Sequence, residues 1–277
     1  LKLNTADNNT AVGHDALKAN TTGANNTALG YGAMYEGTTT GDFNTMVGVS
    51  SGRKMTSGAS NSALGVNAME SNTTGANNTG MGMSALAANT TAANNTAVGV
   101  SALTANTTGT RNVAVGCGAL ASNLDDNDNT AIGFDALTVN TGQNNTALGT
   151  CALRGNQTAN DNTGIGMRSL FTNTTGASNT GLGFSALKLN TTGANNVAVG
   201  LLSLAANTTA ADNTAVGYTA MCKNTTGHSN VAVGTCALFT NTEGDTNTAV
   251  GHHALKLNTT AADNTGIGRN ALCTTTT

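Results

Sequence analysis

One short sequence unit repeats from one end of this chain to the other. The five-residue core Asn-[Thr/Ser/Val]-x-[Val/Leu/Ile/Met]-Gly occurs sixteen times in 277 residues, at a mean period of 17. The unit at Asn9, NTAVGHDALKANTTGAN, is almost the same as the unit at Asn179, NTGLGFSALKLNTTGAN. A fixed period of this length is typical of architectures in which each unit packs on its neighbours. We therefore predict a single repeat domain over residues 1–277, with units starting at 9, 26, 44, 61, 78, 95, 112, 129, 145, 162, 179, 196, 213, 230, 247 and 264.

Positions within the unit are numbered 1 to 17 from its first Asn. Position 4 is aliphatic or Met and position 5 is Gly in all sixteen copies. Charged residues are only 9% and aromatic residues 3% of the chain, which leaves little material for a deep globular core. Low hydrophobicity can indicate disorder. A disordered segment has no reason to keep an apolar residue and a Gly in register, so we expect an ordered repeat.

The unit reads as β-structure. Positions 2 and 4 are mostly β-branched or aliphatic and lie on one face of a strand, while position 3, usually Ala or Gly, lies on the other. Gly at position 5 indicates a corner with positive φ or a close backbone approach. A second short strand is predicted up to position 9, and positions 11 to 17 are rich in turn-forming residues. A helix is disfavoured because Gly and Asn interrupt every window of helical length.

In a stack of coils, each residue lies next to the residue at the same repeat position of the neighbouring coil. We predict an all-β parallel β-solenoid or β-roll of about sixteen 17-residue coils, in which positions 4 and 9 form a dry core. Gly at position 5 makes the corner, and Asn at positions 1 and 12 ties neighbouring coils through side-chain hydrogen bonds. The residues predicted to fill these roles include Val12, Gly13, Leu17, Asn20, Val98, Gly99, Leu103, Ile132, Gly133, Leu137, Val216, Gly217 and Met221.

Two steps of the repeat depart from the 17-residue period. The step from Asn26 to Asn44 is one residue longer than the period, and the step from Asn129 to Asn145 is one shorter. Both are expected to appear as local bulges. The chain begins and ends inside a unit, which favours either a piece of a longer fibre or end-to-end stacking of copies.

No catalytic, cofactor or metal site is expected. Asp125, Asp126 and Asp128 could hold Ca²⁺, but the cluster occurs once, and a solvated loop is favoured. The pairs His252–His253 and His14–Asp15 are sequence neighbours, and neighbours on a strand face opposite ways. Because no phosphate loop and no recurring triad are present, the sequence does not favour an enzyme.

The five cysteines do not form a disulfide framework. Cys117, Cys151, Cys222, Cys236 and Cys273 lie in separate coils, and those that share a repeat position are three or five coils apart. They are expected to be mostly apolar fillers, with a disulfide between copies of the chain as an alternative. The many Asn-x-Ser/Thr sequons follow from the repeat itself.

Composition also bounds the partners. Eleven basic residues and a net charge of −3 argue against nucleic acid. No apolar run is long enough to span a membrane. An ice-binding solenoid is disfavoured because the adjacent Thr-Thr pairs would diverge in a strand. A cell-surface glycan or receptor is left as a partner of another region, because aromatic residues are few.

The unit NTAVGxxALxxNTTGxN resembles the repeats of bacteriophage tail-fibre-like proteins, over nearly the whole chain. The segments NVAVGCGA (112–119) and NVAVGLLS (196–203) resemble the shorter head repeats of trimeric autotransporter adhesins. This resemblance implies left-handed parallel β-rolls that associate as trimers.

The predicted function is mechanical. We expect a homotrimeric shaft of an extracellular or virion fibre, either a tail fibre or an adhesin, that presents or forms an adhesive surface. One alternative is a single-chain solenoid that polymerises head to tail into an extracellular surface filament. A second is an intertwined triple β-spiral. Small residues at positions 3 and 8 favour close lateral approach of another chain.

Overall fold

The fold is an all-β parallel β-solenoid. The computed structural model describes residues 5–274, which contain no helix. The chain divides into two compact units at residues 141 and 142, named unit 1 (1–141) and unit 2 (142–277). Unit 1 contains the strands β1 Thr10–Val12, β2 Thr27–Leu29, β3 Thr45–Val47, β4 Ser62–Leu64, β5 Thr79–Met81, β6 Thr96–Val98, β7 Val113–Val115 and β8 Thr130–Ile132. Unit 2 contains β9 Thr146–Leu148, β10 Thr163–Ile165, β11 Thr180–Leu182, β12 Val197–Val199, β13 Thr214–Val216, β14 Val231–Val233, β15 Thr248–Val250 and β16 Thr265–Ile267.

Each strand covers positions 2 to 4 of one coil. Within each unit, consecutive strands pair in parallel with equivalent positions opposite each other, as in Thr96↔Val113 of unit 1 and Thr214↔Val231 of unit 2. The β-branched residues at positions 2 and 4 suit this pleated arrangement. One coil per repeat is therefore confirmed for the described residues.

The predicted second strand is wrong. Positions 6 to 11 form a turn in which positions 7 and 9 adopt the left-handed conformation, for example Ser101 with φ 56° and Leu103 with φ 51°. A leucine rarely takes positive φ, because its Cβ crowds the carbonyl oxygen. Burial offsets this cost: the turn directs Leu103 into the core, where it is fully buried.

The interior of each coil is narrow. It is filled by the position 9 side chain together with the small residues at positions 3 and 8, such as Ala97 and Ala102 around Leu103. The predicted core residues Leu17, Leu137 and Met221, all at position 9, are likewise fully buried. Positions 3 and 8 are thus small because they face the coil's own interior, so our inference that they mark the approach of another chain is wrong.

The prediction that position 4 belongs to the core is also wrong. Val12 is 55% exposed and Ile132 is 38% exposed, while Val98 and Val216 are half-buried. Side chains alternate along a strand, so only one face of each three-residue strand can turn inward. The filled interior leaves room at that face for Ala or Gly at position 3, and position 4 consequently points out.

The glycine corner is confirmed. Gly13, Gly99, Gly133 and Gly217 have φ values of 128°, 136°, 141° and 139°. A Cβ on Gly99 would lie 2.6 Å from the carbonyl carbon of Gly116 in the next coil. Both the left-handed region and this close approach exclude other residues.

The predicted asparagine ladders are confirmed. At position 12, Asn106 Nδ2 donates to Asn89 Oδ1 of the preceding coil over 3.1 Å and to Gly109 O over 2.9 Å. At position 1, the backbone N–H of Asn112 donates to Asn95 Oδ1 over 2.9 Å. Asn20, the predicted ladder residue at position 12, is fully buried, and its Nδ2 donates to Gly23 O over 2.9 Å. The ladders therefore give buried amides partners within a coil and between coils, which burial requires.

Local departures from the repeat are compensated. Gly52 occupies position 9, and its missing side chain is replaced by buried Met46, whose Sδ lies 2.7 Å from where a Cβ would stand. The extra residue of the 18-residue coil lies in the turn between Glu36 and Gly41, while β2 and β3 keep their register. The shorter coil lacks one residue between Asn140 and Gly142. The irregularities are thus confined to turns.

Candidate self-association surface

An exposed band of apolar side chains runs across the strands of each unit. It is built from positions 4 and 6, on either side of the position 5 glycine, and we name it the apolar strip of that unit. In unit 1 its exposed members are Val12, Leu29, Tyr31, Val49, Leu64, Val66, Met81, Met83, Val100, Ile132 and Phe134. In unit 2 they are Leu148, Met167, Leu182, Phe184, Leu201, Tyr218, Val233 and Ile267.

The local backbone explains why both positions point outward. Position 4 lies on the outer face of the strand. The positive-φ glycine at position 5 then turns the chain, so the position 6 side chain also points outward. Val98 and Val100 show the pattern: the first is half-buried and the second is 42% exposed, with Gly99 between them. The coil geometry therefore produces two apolar rows side by side.

Position 6 is the part of this surface that our sequence reasoning missed. It carries Val, Leu, Met, Phe or Tyr in ten of the sixteen copies, for example Val66 and Met83. An apolar residue on each side of an invariant turn glycine was the available signal. Its meaning is hidden as long as position 4 is assigned to the core.

The strip is comparable in area with the largest apolar patches of soluble monomers, which are often functional. Eight coils at about 4.8 Å spacing, each three residues wide from position 4 to position 6, give about 400 Å² of flat area per unit. Contiguous apolar patches of this size commonly mark interaction sites. Across β3, β4 and β5, a shallow groove lined by Thr45, Val47, Leu64 and Met81 adds relief to this face.

Positions 13 and 14 form a polar surface, in contrast to the apolar strip. Position 13 hydroxyls donate to the backbone carbonyl of the same position in the next coil, as from Thr56 Oγ1 to Thr73 O over 2.9 Å. The same bond joins Thr174 Oγ1 to Thr191 O over 2.9 Å in unit 2. In a Thr-Thr pair such as Thr174-Thr175, the first threonine thus bonds within the solenoid and the second is exposed.

The acidic cluster is split by the fold. Asp126 is only 8% exposed, and burial raises the pKa of its carboxyl group, so the expected solvated loop is wrong for this residue. Asp125 is exposed, and Asp128 is exposed and bonded to Arg111 through both carboxylate oxygens, at 2.6 and 2.7 Å. Among residues 5–274, no group of three His, Cys, Asp or Glu side chains is arranged to hold a metal ion.

The neighbouring pairs do not face opposite ways, because they lie in the turn rather than in a strand. The rings of His252 and His253 stack with centroids 3.7 Å apart. Partial desolvation and the nearby charges of His252, Lys256 and Arg269 lower the pKa of His253. His14 Nδ1 lies 3.3 Å from Asp15 Oδ2.

All five cysteines are free thiols. Cys117 is exposed, whereas burial raises the pKa of the half-buried Cys222 thiol. Cys236 Sγ lies 3.2 Å from Thr219 Oγ1 of the preceding coil. They occupy turn positions rather than the core, so the prediction that most are apolar fillers is not supported for Cys117.

The chain was compared with protein-family models and with curated proteins, and neither comparison gives a match. Within residues 5–274, no helix is long and apolar enough to cross a bilayer.

Proposed function

We propose that this chain is a structural, non-catalytic subunit of an extracellular or virion fibre, of the tail-fibre or adhesin kind, and that it assembles as a homotrimer. The observation that carries the proposal is the apolar strip. A thin coil buries one leucine and a few alanines, so much of its apolar surface stays outside. Covering the strips with further copies of the chain removes that surface from water.

The repeat itself favours a copy as the partner. The strip presents one residue pair per coil, at the spacing of parallel strands. A second chain with the same coil presents the same spacing, so its side chains can interdigitate along the whole strip. A globular partner would match this spacing over only a few coils.

Mass per unit length of the purified assembly, measured by scanning transmission electron microscopy, tests the proposal. Three chains per cross-section are expected. One chain per cross-section in a filament of indefinite length would overturn the trimer and favour head-to-tail polymerisation. Immunogold labelling of producing cells or particles tests the location, and label confined to the cell interior would contradict it.

A matched pair of variants tests the surface. Val66→Lys with Met83→Lys places two charges on the strip at exposed positions and is expected to yield single chains in analytical ultracentrifugation. Thr74→Lys with Thr91→Lys adds the same charge at exposed position 14 and should leave the assembly intact. Equal behaviour of the two double variants would argue against the strip as the interface.

A further inference from the structure

Charges are segregated in unit 2. All of its acidic residues lie at positions 14 to 17 of their coils, namely Asp161, Asp212, Glu243, Asp245 and Asp263. All of its basic residues lie at positions 6 to 11, namely Arg154, Arg168, Lys188, Lys223, Lys256 and Arg269. We name the second set, together with Phe171 and Phe239 at position 10, the basic turn. One turn of unit 2 thus carries cations with no acidic residue among them.

Four of these cations recur at a regular interval. Arg154, Lys188, Lys223 and Lys256 occupy position 10 or 11 of every second coil. Because adjacent parallel strands lie about 4.8 Å apart, the cations follow each other at about 10 Å.

Aromatic rings and the backbone hold this row in place. Arg154 and Arg168 lie over the Phe171 ring, at 6.0 and 5.8 Å from its centroid, and Lys223 lies 5.2 Å from that of Phe239. Such contacts position a cation without neutralising its charge. The carbonyl of Lys188 accepts a hydrogen bond from Thr172 Oγ1 over 3.0 Å, and that of Lys256 accepts one from Thr240 Oγ1 over 2.7 Å, which fixes the backbone of the turn.

The charge of the three lysines in the row is available to a ligand. Lys188, Lys223 and Lys256 form no ion pair with the residues that the structure describes. Exposed leucines, Leu189 and Leu257, follow two of these lysines directly in sequence. The row therefore combines spaced cations with exposed apolar side chains in the same coils.

We propose that the basic turn of unit 2 binds an acidic polysaccharide that carries one carboxylate per disaccharide. An extended disaccharide is about as long as two coils, so successive carboxylates meet successive cations. The sugar rings between them present C–H groups to the apolar side chains. Nucleic acid fits less well, because duplex DNA carries one charge per about 1.7 Å, far denser than this row.

A second copy of the chain fits the basic turn less well than an acidic polysaccharide does. The position 17 carboxylates of unit 2, Asp161, Asp212 and Asp263, recur every third coil, out of step with the cations. All three are also engaged within the unit: Asp161 Oδ1 accepts from Asn144 Nδ2 and Asp212 Oδ1 from Asn195 Nδ2, both over 3.1 Å, and Asp263 Oδ1 accepts from Thr246 Oγ1 over 2.5 Å. The polysaccharide site does not use the apolar strip, so it is independent of the proposed assembly.

Isothermal titration of the full chain with a hyaluronan octasaccharide at low ionic strength tests the proposal. Binding that weakens as salt rises is expected. The triple variant Lys188→Ala, Lys223→Ala, Lys256→Ala should bind at least about tenfold more weakly, which is about 1.4 kcal/mol. Lys54→Ala, which removes a position 11 lysine from unit 1, is the matched control and should bind as the unchanged chain does. Circular dichroism checks that each variant is folded.

Several results would overturn the site. These are no heat of binding with the octasaccharide, equal binding of single-stranded DNA of the same length, and unchanged binding by the triple variant. The strip variant Val66→Lys with Met83→Lys separates this proposal from the fibre proposal. It should lose assembly and keep octasaccharide binding, whereas loss of both would show that the site depends on assembly and would overturn its independence.

Discussion

Units 1 and 2 are built from the same coil but treat charge differently. Unit 1 has nine acidic and five basic residues, a formal charge of −4, whereas unit 2 has five acidic and six basic residues, a charge of +1. In unit 1, Arg53 bridges Glu36 and Glu70 of the two adjacent coils, and Arg111 bonds to Asp128. In unit 2, the lysines at positions 10 and 11 have no such partners among the described residues. The inward positions are thus shared, while the outward positions differ.

The largest effect is expected from the corner glycine, where the units should respond alike. In Gly99→Val and Gly217→Val, the new Cβ would meet the carbonyl group of the next coil's glycine at about 2.6 Å while φ stays near 136° and 139°. Each substitution should cost at least about 3 kcal/mol, measured by urea denaturation.

Gly32→Asn is the control for the corner substitutions. Gly32 also has positive φ, but a Cβ added there would have its nearest neighbouring atom 3.9 Å away, and Asn67 occupies the equivalent position. A small effect is expected there. A difference of more than about 1 kcal/mol between the two valine variants would show that the coils of the units are not equivalent.

The asparagine ladders give the next largest effect. Asn106→Ala and Asn224→Ala remove equivalent amides, each bonded to the Asn of the preceding coil at 3.1 Å and to a glycine carbonyl at 2.9 Å. Each should destabilise its unit by about 2 to 4 kcal/mol, because buried partners lose their hydrogen bonds. Amide hydrogen exchange should show the loss near the substitution. Unchanged exchange rates in the adjacent coils would contradict the idea that the ladder stabilises neighbouring coils.

Asp126 is a feature of unit 1 alone, and replacing it should stabilise the protein. Its Oδ2 is buried without a hydrogen-bond partner, and burial raises its pKa, so folding favours the protonated form. Asp126→Ala, which introduces the residue found at this position in Ala92 and Ala210, should add about 1 kcal/mol at pH 7.

The pH dependence of that gain follows from the sign of the shift. A raised carboxyl pKa means that wild-type stability is lost as pH rises through the folded-state pKa. The advantage of Asp126→Ala should therefore shrink as pH falls through the raised pKa toward the ordinary Asp pKa, and it should be smallest below both. Thermal melts at pH 3 and pH 7 measure it, and an equal advantage at both values would contradict burial as the cause.

The smallest effect concerns the exposed pair of Arg111 and Asp128. The guanidinium group lowers the pKa of the Asp128 carboxyl group, so the stabilisation exists above the ordinary Asp pKa and is lost as pH falls through the lowered value. Arg111→Gln should raise that pKa toward its ordinary value in an NMR titration. Lys54→Gln, at another exposed site of unit 1, should leave it unchanged.

The inward half of the coil was largely predictable, and its orientation was not. Invariant Gly at position 5 indicated positive φ, and recurrent Asn at positions 1 and 12 indicated ladders; both are confirmed. The alternation in Thr96-Ala97-Val98 shows that Thr96 and Val98 lie on one face of the strand and Ala97 on the other. It does not show which face lies in the core. Hydropathy favoured the valine, whereas the volume already filled by Leu103 decides for the alanine.

The turn was beyond prediction for a different reason. Leucine at positive φ, as at Leu103, is contrary to intrinsic preference and is stabilised only by tertiary packing. A single coil contains no signal for it. The apolar strip could not be predicted without that turn. The rows at positions 4 and 6 lie side by side only because the glycine corner and the residues after it adopt this conformation.

The confinement of the 18-residue coil's extra residue to the turn between Glu36 and Gly41 has a consequence for how such genes change. Near-identical tandem units misalign easily during recombination, so whole units are gained and lost together. Since the position 5 glycine and the position 1 asparagine recur in every coil and the position 12 asparagine in most, adding seventeen codons recreates the same contacts at the new junctions. Small insertions are absorbed in a turn, so the copy number can drift between lineages while the strands keep their register.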